Sequence, residues 1–320
     1  MVKHKTAKAK HRKSKTVKQQ RRHAKKTVKR HGAPKKHHHA AKKKALRMPA
    51  LERFEHAALP NIAVPAWVTR DILAKRDLLA SEGICNHLVL RFLRKNPALV
   101  EKISHEQFKR TADYENLKKW VRQELRVLVG MFILETNPHK LLDAPTEQIL
   151  RSHRSTVERF EYYTGLYDDL FAGKKPSIIL DLCCGLNPVS YEHLGCAPVY
   201  YAIDVSPQLM EFLNEWFIKH GITGRAECAD VTTMSAFPDA DTVFLFKAMD
   251  VLERVKYGFG EHLLDVLRDK RVIVSFARAT LGGKRQIKDS KRAWVERWAQ
   301  ANGRSVRVVE RPNELFYVIE

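Results

Sequence analysis

Three carboxylates at or beside the ends of expected strands are the residues whose spacing suggests chemistry. The run Ile179-Leu180-Asp181-Leu182 enters a turn of small residues, Cys183-Cys184-Gly185, followed by Leu186-Asn187-Pro188. A strand ending in such a turn lets a ligand approach the backbone closely, at the carboxyl edge where open α/β sheets bind cofactors. About 20 residues on, Tyr200-Tyr201-Ala202-Ile203-Asp204 ends a second run in a carboxylate, a spacing that suits hydrogen bonds from ribose hydroxyls to Asp204. A third run closes on Cys228-Ala229-Asp230, with Val231 next, placing Asp230 to meet an adenine amino group. The turn carries one glycine, Gly185, in place of the GxGxxG of dinucleotide binders, and the chain has no GxxxxGKS/T phosphate loop. A pyrophosphate is therefore disfavoured against a compact, non-phosphorylated nucleoside, a description that S-adenosylmethionine fits. Read alone, Asp204 is equally a helix cap ahead of Ser206-Pro207. Cys183 and Cys184, being adjacent, cannot readily converge on one tetrahedral metal, and read better as small buried turn residues.

The elements that must position these groups follow from periodicity. From Lys174-Lys175-Pro176 onward, short β-branched runs alternate with amphipathic segments: Ile178 to Leu180, Val199 to Ile203, Thr242 to Phe246 and Arg271 to Phe276. Such alternation predicts a parallel, doubly wound sheet. The end differs, with Val306 to Val309 and Leu315 to Ile319 flanking a Pro312-Asn313 turn, and reads as a closing hairpin. Upstream the pattern is helical. Thr69 is placed to cap a helix through Ile72, Leu73, Leu78 and Leu79 that Gly83 would end. A longer helix is predicted from about Asp113 through Leu117, Trp120, Val121, Leu125, Leu128 and Phe132, stopped by Asn137-Pro138.

Charge divides the chain differently. Of 58 Lys/Arg, 20 fall within residues 1–47, together with 7 His and no Asp or Glu, which leaves 38 basic against 36 acidic residues in a nearly neutral body. The first 47 residues cannot bury enough apolar surface to order themselves, so a disordered basic arm that contacts nucleic acid is expected. His37-His38-His39 within it makes no defined metal site. The expected organisation is thus an arm over 1–47, a helical RNA-docking domain over 48–150 and a cofactor-binding domain over 151–320. The longest nearly apolar run, Val127 to Leu134, is far too short for a membrane helix, and no apolar stretch follows the basic start as a secretory signal requires. Five cysteines, Cys85, Cys183, Cys184, Cys196 and Cys228, form no CxxC pair, which points to reduced thiols and a cytoplasmic protein without membrane partners.

Five downstream segments lie in an order seen elsewhere. They are His153-Arg154-Ser155-Thr156-Val157-Glu158-Arg159, Asp181 to Pro188, Leu245-Phe246-Lys247 with Leu252-Glu253-Arg254, Ser275-Phe276 with Leu281-Gly282-Gly283, and Asn313-Glu314-Leu315-Phe316-Tyr317-Val318-Ile319. They resemble the Class I methyltransferases that modify a decoding-site guanine of 16S rRNA at N7, the aminoglycoside-resistance group. The likeness covers about residues 110 to 320 and does not include the basic arm. Two departures are Val255, where the family often has Gln after L-E-R, and Met249-Asp250-Val251, where it has a proline.

The resemblance implies an α/β fold with a Rossmann-like Class I sheet, S-adenosyl-L-methionine as cofactor, and rRNA in the small ribosomal subunit as partner of a monomeric enzyme. It implies further that His153, Ser155 and Arg159 touch the methionine end of the cofactor, that Asp181 and Gly185 form its loop, and that Phe246 packs on adenine. A guanidinium at Arg159 suits a carboxylate. Guanine N7 is nucleophilic when neutral, so the expected catalysis is positioning without a general base or metal. Because N7 lies in the deep groove of A-form RNA, the target must be irregular or flipped from the stack. Lys284, Arg285, Lys288, Lys291 and Arg292 form a basic run suited to phosphates, while Trp294 and Trp298 read as core. Two alternatives stand beside this reading: a catalytically weak RNA-binding or ribosome-assembly factor on the same fold, and methylation of another RNA or of a small molecule.

Overall fold

The computed structural model describes residues 63–74, 82–130, 138–279, 286–287 and 292–320. The basic arm over residues 1–47 lies outside them, as do Lys284, Arg285, Lys288 and Lys291. Among the described residues no helix is long and apolar enough to cross a membrane.

Seven strands form one sheet in the order β3-β2-β1-β4-β5-β7-β6. They are β1 (Ile178–Leu182), β2 (Val199–Asp204), β3 (Gly224–Cys228), β4 (Thr242–Phe246), β5 (Arg271–Ala277), β6 (Val306–Glu310) and β7 (Glu314–Ile319). The first five run parallel, and β7 pairs antiparallel with both β5 and β6. This is the Rossmann-like Class I sheet with the closing hairpin expected from the sequence. The central strands read as unbroken apolar runs because helices cover both faces of a parallel sheet. Alternate residues of β1 serve opposite faces: Ile179 packs with Phe212, Leu213, Trp216 and Phe217, whereas Leu180 and Leu182 pack with Leu252, Leu263 and Trp298. The register sets Leu182 beside Ile203 and Asp204 beside Cys228, so the ends of the first three strands lie level.

The helices that matter for the site are short. In the helical part, α1 (Ala66–Leu73), α2 (Glu82–Lys95) and α3 (Ala112–Leu125) share a core of Ile72, Cys85, Leu88, Leu117 and Val121. Farther on come α4 (Thr146–Leu150), α5 (Arg154–Arg159), α6 (Tyr163–Phe171), α7 (Pro207–Lys219), α8 (Met249–Val255), α9 (Phe259–Val266) and α10 (Ala293–Ala301). Ser206 caps α7 by accepting from Leu209 N, and Pro207 fills its first turn.

Three helices differ in their boundaries from the sequence reading. Helix α1 begins behind Pro65, so Thr69 is an interior residue and caps nothing; its hydroxyl bonds Asn86 instead. Gly83 sits in the first turn of α2 rather than ending a helix, because the apolar stripe of Ile84, Leu88 and Leu93 continues past it. Helix α3 opens one residue before the expected start, where Thr111 accepts from Tyr114 N, and gives way to a π turn over Arg126–Gly130. Residues Ala50–Glu320 form a single unit in which the helical core extends onto Val205, Val251 and Val255 of the sheet part.

Candidate active site

Where β1, β2, β3 and β4 end at their carboxyl edge, a cleft of about 860 Å3, open mouth included, is lined by His153, Ser155, Gly185, Asp204, Asp230, Val231, Phe246 and Lys247 among others. The turn after β1 is built for close approach. Cys183 (φ +55°) and Gly185 (φ +51°) are both left-handed, and a Cβ at Gly185 would lie 2.8 Å from His153 Cε1. Only glycine satisfies that φ and that contact together. Cys184 faces one sheet layer and Cys183 the other, so the two sulfurs diverge, and burial pushes both thiols up.

Asp204 staples this turn to β2. One carboxylate oxygen accepts from Gly185 N at 3.0 Å and the other from Val205 N at 2.7 Å. Burial raises its pKa against those backbone donors. Asp230 is arranged otherwise: Oδ1 accepts from both Thr232 N (2.9 Å) and Thr232 Oγ1 (2.7 Å), while Oδ2 is buried with no hydrogen-bond partner. A buried carboxylate oxygen left unsatisfied on a cavity wall is costly unless a ligand completes it.

At the opposite end, His153 Nδ1 and Ser155 Oγ are 2.9 Å apart. Burial, with help from the nearby Arg159 and Lys247 cations, pushes the His153 pKa down to about 3, so the imidazole is neutral near pH 7. Behind it lies a closed cluster of charge centred on Glu314. Arg159 donates Nε to Glu314 Oε2 at 2.9 Å and Nη2 to Oε1 at 3.1 Å, with Nη1 on Asn187 Oδ1 at 3.2 Å. Lys247 Nζ bonds Glu158 at 2.5 Å and lies 3.3 Å from Glu314. Ser275 Oγ donates to Glu314 and accepts from Lys247 N, whose residue is held at φ +56°. Burial would raise the Glu314 pKa, but Arg159 and Lys247 hold it below the usual carboxylate value. Burial likewise opposes the Arg159 charge, and Glu314 reverses that.

The structure therefore brings His153, Ser155, Gly185, Asp204, Asp230, Val231 and Phe246 to one cavity and leaves two expected residues out. Arg159, 1% exposed, has its guanidinium occupied by Glu314 and Asn187 and laid over the Phe246 ring at 5.0 Å. Asp181 is fully buried, its Oδ2 accepting from Asn187 and Tyr200, and burial lifts its pKa to about 6. Asp181 thus anchors the loop's Asn187 from inside the sheet. Phe246 stacks on Phe244 and meets Phe316 edge-on.

Arg292 requires a correction. It is 3% exposed, donates to Ala277 O and lies over the Phe276 ring, so it is packed into the fold and does not offer its guanidinium to a phosphate. Trp298 is buried and donates Nε1 to Asp265. Among the described residues no three His, Cys, Asp or Glu side chains gather as metal ligands.

Glu314, Ser275 and Lys247 carried a signal in the sequence, as members of the matched segments, yet no single segment shows that they meet. The cavity also takes Ile84 and Leu128 from the helical part, for which periodicity gives no hint beyond an apolar face.

Comparison with known proteins agrees with this architecture. The profile of the ribosomal RNA methyltransferase (FmrO) family matches residues 73–318. The 16S rRNA (guanine(1405)-N(7))-methyltransferase of Frankia casuarinae is 33% identical over 182 residues, 55% of this chain and 64% of that relative, so the match spans just under two thirds of the relative's length. Among solved structures, the 16S rRNA methylase RmtB aligns with a TM-score of 0.66 at 21% identity, covering 82% of this chain and 99% of that one. RmtF, solved in complex with S-adenosyl-L-homocysteine, aligns with a TM-score of 0.64 at 22% identity, covering 82% and 99%. At these identities the two structures speak to the fold.

Proposed function

The chain belongs to the FmrO family of ribosomal RNA methyltransferases, and from that premise we propose that it transfers a methyl group from S-adenosylmethionine to N7 of a guanine in 16S rRNA. The observation that carries the cofactor reading is Asp230: a buried, unpartnered carboxylate oxygen on the wall of a cavity at the carboxyl edge of the sheet. An amino group of adenine is the donor it lacks. Asp204, one strand over, keeps further lone pairs for ribose hydroxyls beyond its two backbone donors. Gly185 lets His153 pack against the cofactor turn, Val231 and Phe246 supply apolar walls, and His153 and Ser155 border the methionine end.

When bound, S-adenosylmethionine supplies an electrophilic methyl on a sulfonium. What remains for the protein is to hold N7 in line with it, since the N7 lone pair needs no proton removed. The residues at that end suit this role. His153 is neutral, and the Lys247 ammonium is pinned by Glu158 and Glu314, so a fixed, proton-tight surface faces the reacting atoms. The target guanine must leave a regular helix to reach it. The 20 Lys/Arg of residues 1–47 supply sequence-independent attraction to rRNA, and the helical part acts as the docking module of a monomeric, cytoplasmic enzyme on the small subunit.

Nucleoside mass spectrometry of 16S rRNA from cells with and without the gene tests the reading. We expect 7-methylguanosine that depends on the gene, seen also as strand scission after borohydride and aniline. Gene-dependent methylation confined to N1 or N2 would overturn the N7 assignment.

A further inference from the structure

The cavity is not built by the sheet part alone. Ile84 of α2 and Leu128, just past α3, share its wall with Val251, Leu252 and Val255 of α8. The way α8 is held there is specific. A helix leaves its last carbonyls without partners in its own backbone, and here the helical part takes two of them. Arg91 Nη1 donates to Arg254 O at 3.0 Å, and His87 Nε2 donates to Val255 O at 3.1 Å. The side chain of Arg254 reaches the other way: its Nη2 donates to both oxygens of Glu124 on α3 at 3.0 Å, with Nε at 3.3 Å. Glu124 is 9% exposed, and Arg91 lies 3.8 Å from it, so the carboxylate gathers two guanidiniums. Charge-assisted, forked pairing of this kind fixes orientation as well as distance.

We infer that Arg254 and Glu124 are positioning residues that couple the docking part to the cofactor cavity. They lock α8 between the two parts, so that Ile84 and Leu128 close the cavity only while the latch holds. By linkage, filling the cavity stabilises α2 and α3, and loosening α2 and α3 weakens cofactor binding by the same factor. An rRNA surface that engages the helical part therefore acts on the methyl-transfer site through α8. The inference rests on the cofactor reading above.

The test uses the full chain with S-adenosylhomocysteine as probe, calorimetry for affinity and hydrogen exchange for residues 82–125. In the native protein the probe should slow exchange in α2 and α3 as well as at the ends of β1 and β4. Arg254→Met and Glu124→Gln should each weaken the probe about 10-fold, within the usual range of intersite coupling. They should also lose the protection of α2 and α3 while keeping that of the strands. The double variant should be little worse than either single one, and Arg254→Lys should recover part of both effects. Protection confined to the strands in the native protein, or native affinity in a folded Arg254→Met chain, would overturn the coupling and leave the cofactor reading standing. A native chain that binds no probe would overturn both.

Discussion

The two ends of the cavity handle charge in opposite ways. Around His153, four ionised side chains, Arg159, Glu314, Lys247 and Glu158, neutralise one another in an enclosed cluster whose bonds run within the protein. At the ends of β2 and β3, Asp204 and Asp230 line the cavity, and Asp230 holds one oxygen with no protein partner. The first arrangement specifies architecture, since Glu314 joins the carboxyl-terminal strand to α5, β4 and β5. The second is recognition, since an acceptor kept dry and unpaired gains only when a donor arrives. Buried charge therefore does not by itself mark a ligand contact, and neither does a lone unpaired oxygen: Asp181 Oδ1 and Asp230 Oδ2 are both buried without a partner, but only Asp230 of the two lines the cavity.

The sharpest way to break this comparison is to remove its structural half. Glu314→Ala strands Arg159 without its carboxylate, while Lys247 keeps Glu158, and unpairing a buried charge costs about 3–5 kcal/mol. Chemical denaturation should register that loss directly. A double variant, Arg159→Leu with Glu314→Leu, should be less destabilised than Glu314→Ala because no buried charge is orphaned. An alanine variant as stable as the native chain would refute the cluster's role.

The recognition half responds differently. Asp230→Asn keeps an acceptor for Thr232 but can turn an amide donor towards the cavity. S-adenosylhomocysteine affinity should then fall by about 1.5–3 kcal/mol, roughly 10- to 150-fold, with stability nearly unchanged. Asp204→Asn should lower both affinity and stability, because Gly185 N and Val205 N share its two oxygens. Equal calorimetric affinity across native and Asp230→Asn chains would remove the adenine assignment. Between these two classes lies Gly185→Ala, whose methyl meets His153 at 2.8 Å. Overpacking of this kind costs about 1–3 kcal/mol, and combining it with His153→Ala should recover part of the loss in thermal unfolding.

How much of this was legible in the sequence depends on the range of the interaction. The strand-end carboxylates and the Gly185 turn were readable because a strand, a turn and the next strand are local and fix their own spacing. Four of the five parallel strands and the hairpin follow from β-branched runs for the same reason, whereas β3, Gly224-Arg225-Ala226-Glu227-Cys228, has no such run and is legible only from its place before Asp230. Arg159 was misread as facing the ligand because its partner, Glu314, is 155 residues away, and pairing at that distance is decided by β7 entering beside β5. Arg292 was misread because a basic run suggests a surface, whereas its guanidinium lies over the Phe276 ring. The Arg254–Glu124 latch needs two parts of the fold to be packed before it exists at all. Thr69 failed as a cap for a simpler reason: Pro65 already supplies the break that starts α1.

The smallest effect is a pH dependence in which two neighbouring groups oppose each other. Folded His153 titrates at about 3, whereas an unfolded histidine binds its proton below its ordinary value of 6.5. Between those limits the unfolded chain carries the extra proton, so this group makes stability fall as pH drops. Asp181 has the reverse sign. Its folded pKa of about 6 lies above the ordinary 3.8, so the folded chain holds the extra proton between them and stability falls as pH rises through that window. From about pH 4 to 6 these two contributions should largely cancel. Asp181→Asn removes one side of the balance, and its stability should fall more steeply on acidification than that of the native chain, by up to one proton's slope. His153→Gln should flatten or invert the profile over the same range. Urea denaturation at half-unit pH steps would measure this, and parallel profiles for Asp181→Asn and the native chain would show that the Asp181 carboxyl is ionised in the fold.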